Sequence, residues 1–455
     1  MIKRLVLCLD GTWNTADSQE ITNIVRIRDL IAPKVKRPAG AEERSAGTED
    51  QRIYYHTGVG TGLSTRDKII GGSTGSGLGH NVRSAYKYVS QHYEDGVEIY
   101  LFGFSRGAFT ARSLAAYIGA SGLLKADCCS RENEERAWRY YRTPPDERFP
   151  SEQEALKKLS HANVRIRLLG VFDTVGALGV PLGLFGNLNR RRFQFHDVTL
   201  GSNIDFAFHA LAIDEKRGPF KPSLWQLPSH QDFEYVEQVW FPGVHSNIGG
   251  SYEDRGLSDR ALFWMISRIE KHKVGLTFFA DWQDAVSPDV DGKLYESRTA
   301  AYLWSRYRPM LRVINQRPPQ QPGGARIASL PRYAIPIGEA VDYTALFRWQ
   351  ISETSNKSIE PYRPINLEAA LDDTFTPDIP RPIPIVRKDG EPYKWLKNAE
   401  DREDLKSILP EKYQDLCDKT VKRWERVDED ESSEFWNSSR EPRIRISQRV
   451  GRTYA

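Results

Sequence analysis

A serine between two glycines is the first feature of this sequence that could carry out chemistry. Residues Gly103–Gly107 read GFSRG, a G-x-S-x-G pattern, and they stand between an apolar run and a segment of helical composition. In that setting the serine occupies a strained turn, and the small flanking residues let strand and helix approach closely. The pattern predicts that Ser105 is a nucleophile at the positive end of a helix dipole. The alternative is a tight turn with an incidental serine.

A nucleophilic serine needs a base, and the base needs an acid that orients it. In α/β-hydrolases the three residues follow one another along the chain in the order serine, acid, histidine. Asp173 comes directly after the apolar run RLLGVF, and His245 follows the later run VWF in a glycine-rich loop. The order Ser105, Asp173, His245 therefore predicts a catalytic triad that cleaves an ester through an acyl-enzyme, without a metal or another cofactor.

Two members of this triad have competitors in the sequence. Asp214, in the segment ALAIDEKRG, is the alternative to Asp173 as the acid. His209 stands in an apolar pattern that predicts a helix, which is typical of a core histidine whose hydrogen bonds are satisfied. His56 lies before a glycine-rich segment and is a minor candidate for the base. Either aspartate could also be a helix cap or a turn former.

The segment LVLCLDGTWN, residues 5–14, delivers an aspartate into a glycine turn. The nucleophile motif of haloacid-dehalogenase-type phosphatases begins in this way, but it requires an aspartate where Cys8 stands. In a hydrolase, such a loop supplies backbone N–H groups that stabilise the oxyanion. We predict that these donors belong to Arg106, Gly11 and Thr12. Further residues are predicted to line the site: Asp10, Trp13, Asn14, Asp214 and Phe104.

The elements that must position these residues alternate along the first half of the chain. Three segments are predicted to be strands: Val97–Phe102, Val164–Phe172 and residues 236–244. Two segments are predicted to be helices: Ala108–Leu124 and residues 206–215. Strands separated by helices predict a mostly parallel central sheet with helices on both faces. Together with the G-x-S-x-G motif and the chain order of serine, acid and histidine, this α/β pattern fits an α/β-hydrolase fold. The functional loops of such a sheet leave the carboxyl ends of its strands.

The second half of the chain changes in composition. Residues 1–280 are predicted to form the catalytic core, and residues 281–455, rich in proline, arginine and tryptophan, a cap or small appended domain. Within the core, the apolar segment Ala177–Leu188 and the basic run Arg190–Arg192 would suit an acyl chain and an anionic headgroup. An ordinary buried loop followed by solvated charges is the alternative. Three tryptophans of the C-terminal region either wall the pocket or belong to a core: Trp395, Trp424 and Trp436.

Composition narrows the class of partner. The chain has 455 residues, and its 64 basic and 61 acidic side chains give a formal net charge of +3. This balance gives no reason to expect nucleic acid as a partner.

The four cysteines have the spacing of neither a disulfide framework nor a zinc site. The first apolar run is shorter than that of a secretory signal, and no run approaches the roughly 18 apolar residues of a membrane span. We therefore expect cytoplasmic synthesis, which is compatible with export by a signal-independent secretion system.

Eight segments of the sequence recur in the same order in one known family. They are LCLDGTWN, TNIVRI, YYHTGVGTG, GFSRGAFTAR, GVFDTVGALG, HALAIDEKRGPF, LW and PGVHSNIGGSYEDRGLSDRALFWM. From about residue 3 to about residue 270 the chain resembles a family of α/β-hydrolases made up of largely uncharacterised bacterial and fungal proteins. That family includes the first family of type VI secretion lipase effectors, which act as phospholipases. A weaker likeness continues to Tyr362–Leu367.

The resemblance implies ester hydrolysis by a serine, with lipids as the substrate class. Ser105 matches the family nucleophile, and Asp173 and His245 stand in its acid-bearing and histidine-bearing segments. The partners that it implies are an ester or phospholipid substrate, peripheral contact with a membrane, and an activator or immunity-type protein. The long membrane-contacting insertions of the larger effectors have no obvious equivalent in this sequence.

Three alternatives to a lipid esterase stay open at the level of the sequence. The first is a carboxylesterase for non-lipid substrates. The second is a binding or regulatory protein that keeps the hydrolase fold without turnover, in which Ser105 would be inert toward phosphonates. The third is a metal-dependent hydrolase that uses Asp10, Asp173 and His245, and such an enzyme would lose activity on chelation.

Overall fold

A computed structural model of the protein describes eleven stretches of the chain. They are residues 3–11, 21–32, 51–57, 75–175, 200–226, 235–298, 309–315, 326–327, 337–354, 362–371 and 385–386. The strands within these stretches are β1 Arg4–Leu9, β2 Gln51–His56, β3 Glu98–Phe104, β4 Ile166–Phe172, β5 Ile204–Ala212, β6 Tyr235–Phe241, β7 Met310–Leu311, β8 Arg326–Ile327, β9 Glu339–Asp342 and β10 Ile385–Val386.

Helices connect these strands. They are α1 Asn23–Leu30, α2 Gly75–His92, α3 Arg106–Ser121, α4 Arg131–Arg142, α5 Pro150–Leu159, α6 His245–Gly249, α7 Gly256–Lys271, α8 Tyr343–Thr354 and α9 Ile365–Leu371. Four short 3-10 turns add to them: Ala126–Cys128, Pro145–Glu147, Gly218–Phe220 and Trp282–Ala285. Among the helices of the described residues, none combines the length and the apolar character that crossing a membrane requires.

Eight of the strands form one sheet in the order β10-β9-β6-β5-β4-β3-β1-β2. Every neighbouring pair in it is parallel. The chain passes from β1 to β2 on one side and then returns to place β3 on the other side of β1. Ligands bind at such a switch point, outside the carboxyl ends of the strands, in open parallel sheets. The crevice beyond β1 and β3 is therefore where the fold favours a site.

Helices cover both faces of the sheet, because successive side chains of each strand point to opposite sides. Leu5, Leu7 and Leu9 of β1 belong to one buried cluster, together with side chains of α2 and α3. Val6 and Cys8 belong to a second buried cluster, together with side chains of α1 and α7. The predicted α/β architecture, a parallel sheet between two helical layers, is confirmed.

The predicted elements are confirmed with one exception. The strands predicted at Val97–Phe102, at Val164–Phe172 and at residues 236–244 are β3, β4 and β6, and the helix predicted at Ala108–Leu124 is α3. The helix predicted at residues 206–215 is wrong, because this segment belongs to β5 and the turn after it. A strand buried on both faces is apolar throughout, so its sequence lacks the alternation that distinguishes a strand from a buried helix.

Part of the C-terminal region continues the central sheet. β9 pairs with β6, and β10 pairs with β9, so the sheet extends past residue 280. Most of residues 281–455 lies outside the described residues, and the division of the chain at residue 280 stays a prediction. Several other predicted features also lie outside the described residues: the apolar segment Ala177–Leu188, the basic run Arg190–Arg192 and the three C-terminal tryptophans.

Candidate active site

Ser105 lies in the turn between β3 and α3, at the carboxyl edge of the sheet. Its backbone has φ +58° and ψ −119°, an unfavourable conformation for a residue with a Cβ atom. Its N–H donates to the carbonyl oxygen of Phe172 at 3.1 Å, which ties the turn to β4. The residue is 8% exposed. The chain therefore holds this serine in a strained turn at the point where the G-x-S-x-G pattern predicts one.

The two glycines of the motif are required by close packing. A Cβ atom at Gly103 would lie 2.5 Å from the Cα atom of Ala108, and one at Gly107 would lie 2.0 Å from the carbonyl oxygen of Leu9. Real Cβ atoms do not approach other atoms so closely, so a side chain at either position would push α3 away from the sheet. The contact at Gly107 also places the first turn of α3 directly against the end of β1.

Asp173 and His245 meet at the same edge of the sheet. Asp173 follows β4, whose last residue pairs in register with Phe104, and its own backbone has φ +37°. His245 is the first residue of α6, which follows β6. The His245 Nδ1 atom lies 2.6 Å from the Asp173 Oδ2 atom. The His245 ring packs against the rings of Phe104 and Phe220, with centroid distances of 4.7 and 4.8 Å. The structure thus brings acid and histidine together beside the residue that precedes Ser105.

Arg312 contacts both oxygens of the Asp173 carboxylate, and sequence reasoning missed it. Its Nη1 donates to Asp173 Oδ1 at 2.6 Å, and its Nη2 donates to Asp173 Oδ2 at 3.0 Å. Neither side chain has exposed surface. Burial alone would raise the pKa of Asp173, but Arg312 and the hydrogen bond from His245 hold that pKa well below its usual range. The carboxyl group is therefore ionised at neutral pH.

An ionised Asp173 fixes the tautomer of His245. A carboxylate can only accept hydrogen bonds, so Nδ1 carries the proton that it donates to Asp173, and Nε2 is left as the basic nitrogen. Burial lowers the pKa of His245, while Asp173 partly opposes this by favouring the imidazolium. The imidazole is therefore neutral at neutral pH, which is the form that can accept a proton.

Asp214, the alternative acid, contacts the loop before the histidine instead of the imidazole. Its Oδ2 atom accepts hydrogen bonds from the N–H of Gly243 at 2.7 Å and from the hydroxyl of Tyr362 at 3.1 Å. Its own N–H donates to the carbonyl oxygen of Gly243 at 3.0 Å. Burial raises the pKa of Asp214 to about 6. Of the two aspartates, Asp173 is the one in contact with His245.

Glu215 also contacts the segment that carries the histidine, and sequence reasoning did not identify it. It accepts a hydrogen bond from the backbone N–H of His245 at 3.2 Å and another from the Ser297 hydroxyl at 2.9 Å. Arg217 pairs with it at 2.8 Å and stacks on the Phe220 ring at 3.6 Å. In the run DEKR, a glutamate is typical of a solvated turn, yet this one is buried.

Asp10 holds the loop at the end of β1. Its Oδ1 atom accepts the N–H of Gly11 at 2.6 Å, and its Oδ2 atom accepts the hydroxyls of Thr22 at 2.7 Å and Tyr55 at 2.9 Å. The Gly11 N–H is thus directed at Asp10, which argues against Gly11 as an oxyanion donor. The other loop residues in the prediction lie outside the described residues: Thr12, Trp13 and Asn14.

Within the described residues, neither of the other two candidate histidines, His209 and His56, forms a hydrogen bond with Asp173. His209 is buried on β5, where its Nε2 atom accepts the N–H of Thr174 at 3.1 Å and its Nδ1 atom lies 3.3 Å from Gln238 Oε1. Burial lowers its pKa to about 3, so it is a neutral core residue. His56 is the last residue of β2, at the far edge of the sheet. Within the described part of the chain, no three His, Cys, Asp or Glu side chains form a group that could hold a metal ion.

Comparison with known proteins gives a family match and likenesses to individual proteins, and three of these proteins are described first. A protein of the yeast Saccharomyces cerevisiae, described as uncharacterised, is 28% identical over 242 residues. That alignment covers 48% of this chain and 32% of the yeast protein, so the chain spans about a third of this curated relative.

Two solved structures are similar over larger shares of the chain. One is a Tle1 effector bound to the VgrG spike of the type 6 secretion system, with 19% identity, 56% of this chain and 52% of that chain covered, and a TM-score of 0.33. The other is an uncharacterised protein from Pseudomonas aeruginosa, with 15% identity, 94% and 62% covered, and a TM-score of 0.35. Likeness at this level supports no argument about function.

The family match covers the elements that carry the candidate site up to α7. It is the match to the catalytic domain described as type VI secretion system phospholipase effector, Tle1-like, over residues 3–268. Ser105, Asp173 and His245 all lie within it. Because the match takes in more than half of the chain, the protein belongs to the family of Tle1-like phospholipase effector catalytic domains.

Proposed function

We propose that the protein is a serine hydrolase that cleaves carboxylic esters of lipids, with phospholipids as the substrate class. Membership of a phospholipase effector family supports the substrate class. The observation that carries the mechanism is the 2.6 Å contact between His245 Nδ1 and Asp173 Oδ2, at the sheet edge where Ser105 stands in a strained turn.

In the proposed reaction the Ser105 Oγ atom attacks the ester carbonyl carbon. His245 Nε2 takes the hydroxyl proton and passes it to the departing alcohol, which leaves an acyl group on the serine. His245 then takes a proton from water, and the hydroxide attacks the acyl carbon. The bond to Ser105 Oγ breaks, the fatty acid leaves, and His245 returns the proton to the serine oxygen. Asp173 holds the imidazole in the required tautomer and stabilises the imidazolium that forms in each half of the reaction.

The oxyanion formed in each step requires hydrogen-bond donors beside Ser105. We assign one of them to the backbone N–H of Arg106, the first residue of α3, where the helix dipole favours negative charge. We assign the second to Thr12, the residue after Gly11, because the close contact between Gly107 and Leu9 sets the end of β1 next to the serine turn. Asp10 would hold the end of β1 in place through its hydrogen bonds with Gly11, Thr22 and Tyr55.

The remaining expectations about the setting of the enzyme are part of the same proposal. A lipid substrate requires at least peripheral contact with a membrane or micelle surface. The family description supports export through a type VI secretion system. We propose with it that the protein is made in the cytoplasm and that a protein partner restrains or activates the enzyme.

Labelling with a fluorophosphonate probe tests the proposal. The wild-type chain is compared with Ser105→Ala and with Ser113→Ala, a matched control at a buried serine of α3. We expect wild type and Ser113→Ala to react and Ser105→Ala to stay unlabelled. The same three proteins are then assayed on p-nitrophenyl esters and on phospholipid vesicles, with release of fatty acid as the readout.

Each outcome of these assays decides part of the proposal. Release of fatty acid by wild type and not by Ser105→Ala supports the lipid esterase. Cleavage of the p-nitrophenyl esters alone would replace it with a carboxylesterase for non-lipid substrates. A folded wild-type chain that neither reacts with the probe nor cleaves any ester would overturn the serine hydrolase and favour a binding protein.

A further inference from the structure

The buried Arg312 comes from outside the part of the chain that carries the rest of the candidate site. It follows β7 and lies beyond residues 3–268, the extent of the family match. The backbone N–H of Met310 donates to the carbonyl oxygen of Lys216 at 2.8 Å, which holds this segment beside the turn that follows β5. From there the arginine reaches a carboxylate 139 residues earlier in the sequence.

Four donors surround the Asp173 carboxylate, two on each oxygen. Oδ1 accepts the N–H of Ala212 at 3.0 Å and Arg312 Nη1 at 2.6 Å. Oδ2 accepts Arg312 Nη2 at 3.0 Å and lies 2.6 Å from His245 Nδ1. The paired guanidinium donors fix the plane of the carboxylate as a single hydrogen bond would not. This leaves the acid one orientation, in which Oδ2 is presented to the imidazole.

Arg312 also supports the other side of the histidine. Its Nη2 atom donates to the carbonyl oxygen of Phe220 at 2.7 Å, and the Phe220 ring packs edge-on against the His245 ring. Its Nη1 atom donates to the carbonyl oxygen of Ala212 at 2.8 Å, at the end of β5. The fully buried side chain of Arg312 thus contacts the acid Asp173, the end of β5, and Phe220, whose ring packs against His245.

We propose that Arg312 is a positioning residue of the hydrolase: it orients the Asp173 carboxylate toward His245 and keeps that carboxylate ionised where water is excluded. The inference rests on the triad of the proposed function. It also means that a segment of the C-terminal region is part of the catalytic apparatus and not only a cover over it.

Charge makes this role distinguishable from simple packing. Among the described residues, the groups that act on the Asp173–His245 pair are Arg312, Arg217 with its partner Glu215, and the neutral His209. Removing the positive charge of Arg312 makes protonation of the pair easier, so its apparent pKa rises. The active form requires an ionised acid and a neutral base. The acid limb of the pH–rate profile must therefore move to higher pH when Arg312 becomes neutral.

The chain offers a matched control in a second buried arginine–aspartate pair. Arg260 of α7 contacts Asp342, the last residue of β9, through Nη2 at 2.6 Å and Nε at 3.1 Å. Both side chains are buried, and Asp342 accepts the backbone N–H of Thr344 instead of an imidazole. Arg260→Gln therefore breaks a comparable pair without touching the acid of the site.

The test measures kcat from about pH 4 to about pH 10 for full-length wild type, Arg312→Gln and Arg260→Gln on an ester that wild type cleaves. We expect Arg312→Gln to shift the acid limb upward by about one pH unit or more and to lose at least about tenfold in kcat at pH 7, with partial recovery at alkaline pH. Arg260→Gln should melt at a lower temperature and keep the wild-type acid limb. An Arg312→Gln profile that is lowered uniformly, with its limb at the wild-type pH, would overturn the proposal.

Arg312→Lys decides the case if the glutamine variant does not fold. A lysine keeps the positive charge but not the planar pair of donors. We expect its acid limb within about half a unit of wild type and its kcat lowered several-fold. A wild-type kcat in Arg312→Lys would contradict the orienting role of Arg312. An acid limb that shifts as far in Arg312→Lys as is expected in Arg312→Gln would contradict its electrostatic role.

Failure of the proposed function would be seen separately, in wild type, as absence of probe labelling at Ser105. The titration of the His245 ring by NMR, assigned with a His245→Gln variant, then decides the electrostatic part of the inference without turnover. A pKa of His245 that rises in Arg312→Gln supports it, and an unchanged pKa overturns it.

Discussion

Two aspartates stand just beyond the ends of neighbouring strands, the fully buried Asp173 after β4 and the half-buried Asp214 after β5, and their surroundings act on them in opposite directions. Loss of solvation favours the protonated form of both carboxyl groups. At Asp173 the guanidinium of Arg312 and the contact with His245 outweigh burial, and the pKa falls well below its usual range. At Asp214 the donors are the neutral Gly243 N–H and Tyr362 hydroxyl, and the pKa rises to about 6.

The two aspartates differ in what their carboxyl groups can do, and the sequence alone could not show this difference. A carboxylate that orients a base must stay charged wherever the enzyme works, and a cation at contact distance supplies that condition at Asp173. A carboxyl group that holds a loop needs only to accept hydrogen bonds, which it does in either protonation state. Asp214 fits the second task, because it binds Gly243, two residues before His245.

The largest effect is expected when the orienting acid loses its charge. Asp173→Asn should lower kcat by about 10³- to 10⁴-fold, because the amide no longer holds His245 in the tautomer with a free Nε2. Asp214→Asn should lower it by less than about tenfold, because the amide oxygen can still accept both hydrogen bonds. Ester hydrolysis by the two purified variants, with melting curves to show that each is folded, is the measurement. The reverse ranking would make Asp214 the acid.

A second effect concerns stability and its dependence on pH. In the unfolded chain an aspartate has a pKa of about 4. Asp214 binds its proton more tightly in the folded chain, so its contribution to stability is greatest below about pH 4 and declines as the pH rises to about 6. Asp214→Asn removes this decline. Between about pH 4 and about pH 7 the free energy of unfolding of Asp214→Asn should therefore rise by about 2 to 3 kcal/mol relative to wild type.

Asp173→Asn is the control for that measurement. The folded pKa of Asp173 is depressed, so the stabilisation from its charge is fully present above the unfolded pKa and is lost only as the pH falls below about 4. Its free energy of unfolding should hence show no comparable gain relative to wild type between about pH 4 and about pH 7. Urea unfolding of the three proteins at the two pH values tests this. If the free energy of unfolding changed equally with pH in both variants, this would contradict the opposite pKa shifts of the two carboxyl groups.

A moderate effect is expected in the pH–rate profile of wild type. In the proposed mechanism the rate requires a neutral His245, and burial lowers the pKa of this residue from the usual value of about 6.5. The acid limb should therefore lie below about pH 6.5, and Asp214→Asn should leave it in place within about 0.3 units, because the imidazole does not contact Asp214. A limb that moves in Asp214→Asn would show that Asp214 titrates as part of the catalytic unit.

The smallest effect is expected at the tyrosine hydroxyl that binds Asp214. Tyr362→Phe removes one donor from Asp214 Oδ2 and leaves the Gly243 N–H in place. We expect a loss of about 1 kcal/mol in stability and a kcat within about twofold of wild type. Thermal unfolding and ester hydrolysis of the variant are the tests. A loss of turnover as large as that of Asp173→Asn would place Tyr362 in the catalytic apparatus.

Much of the fold was predictable because its signals are local. The strands β3, β4 and β6 are apolar runs bounded by turn residues, and the glycines around Ser105 mark a close crossing of strand and helix. β5 was predicted as a helix for a physical reason: a central parallel strand is buried on both faces and loses the alternation that identifies a strand. The candidate serine, acid and histidine were also predictable, because each follows closely after an apolar run that predicts a strand.

The electrostatics of the site were not predictable from one sequence. Asp173 and Asp214 follow apolar runs of similar character, and only the three-dimensional structure shows that Arg312 donates hydrogen bonds directly to the Asp173 carboxylate. Arg312 is one of the 64 basic residues of the chain and stands before a proline-rich stretch with no motif. Its contact with Asp173 depends on packing between distant segments, which leaves no trace in local spacing. Glu215 was missed because a run of charged residues is usually solvated.

The most direct test of the central claim is mass spectrometry of the fluorophosphonate adduct, with the labelled peptide sequenced and the labelling rate measured in wild type, Asp173→Asn and Asp214→Asn. We expect one adduct, on Ser105, with a near wild-type rate in Asp214→Asn and a rate lower by orders of magnitude in Asp173→Asn. An adduct on another residue, or a rate that falls in Asp214→Asn and not in Asp173→Asn, would contradict it.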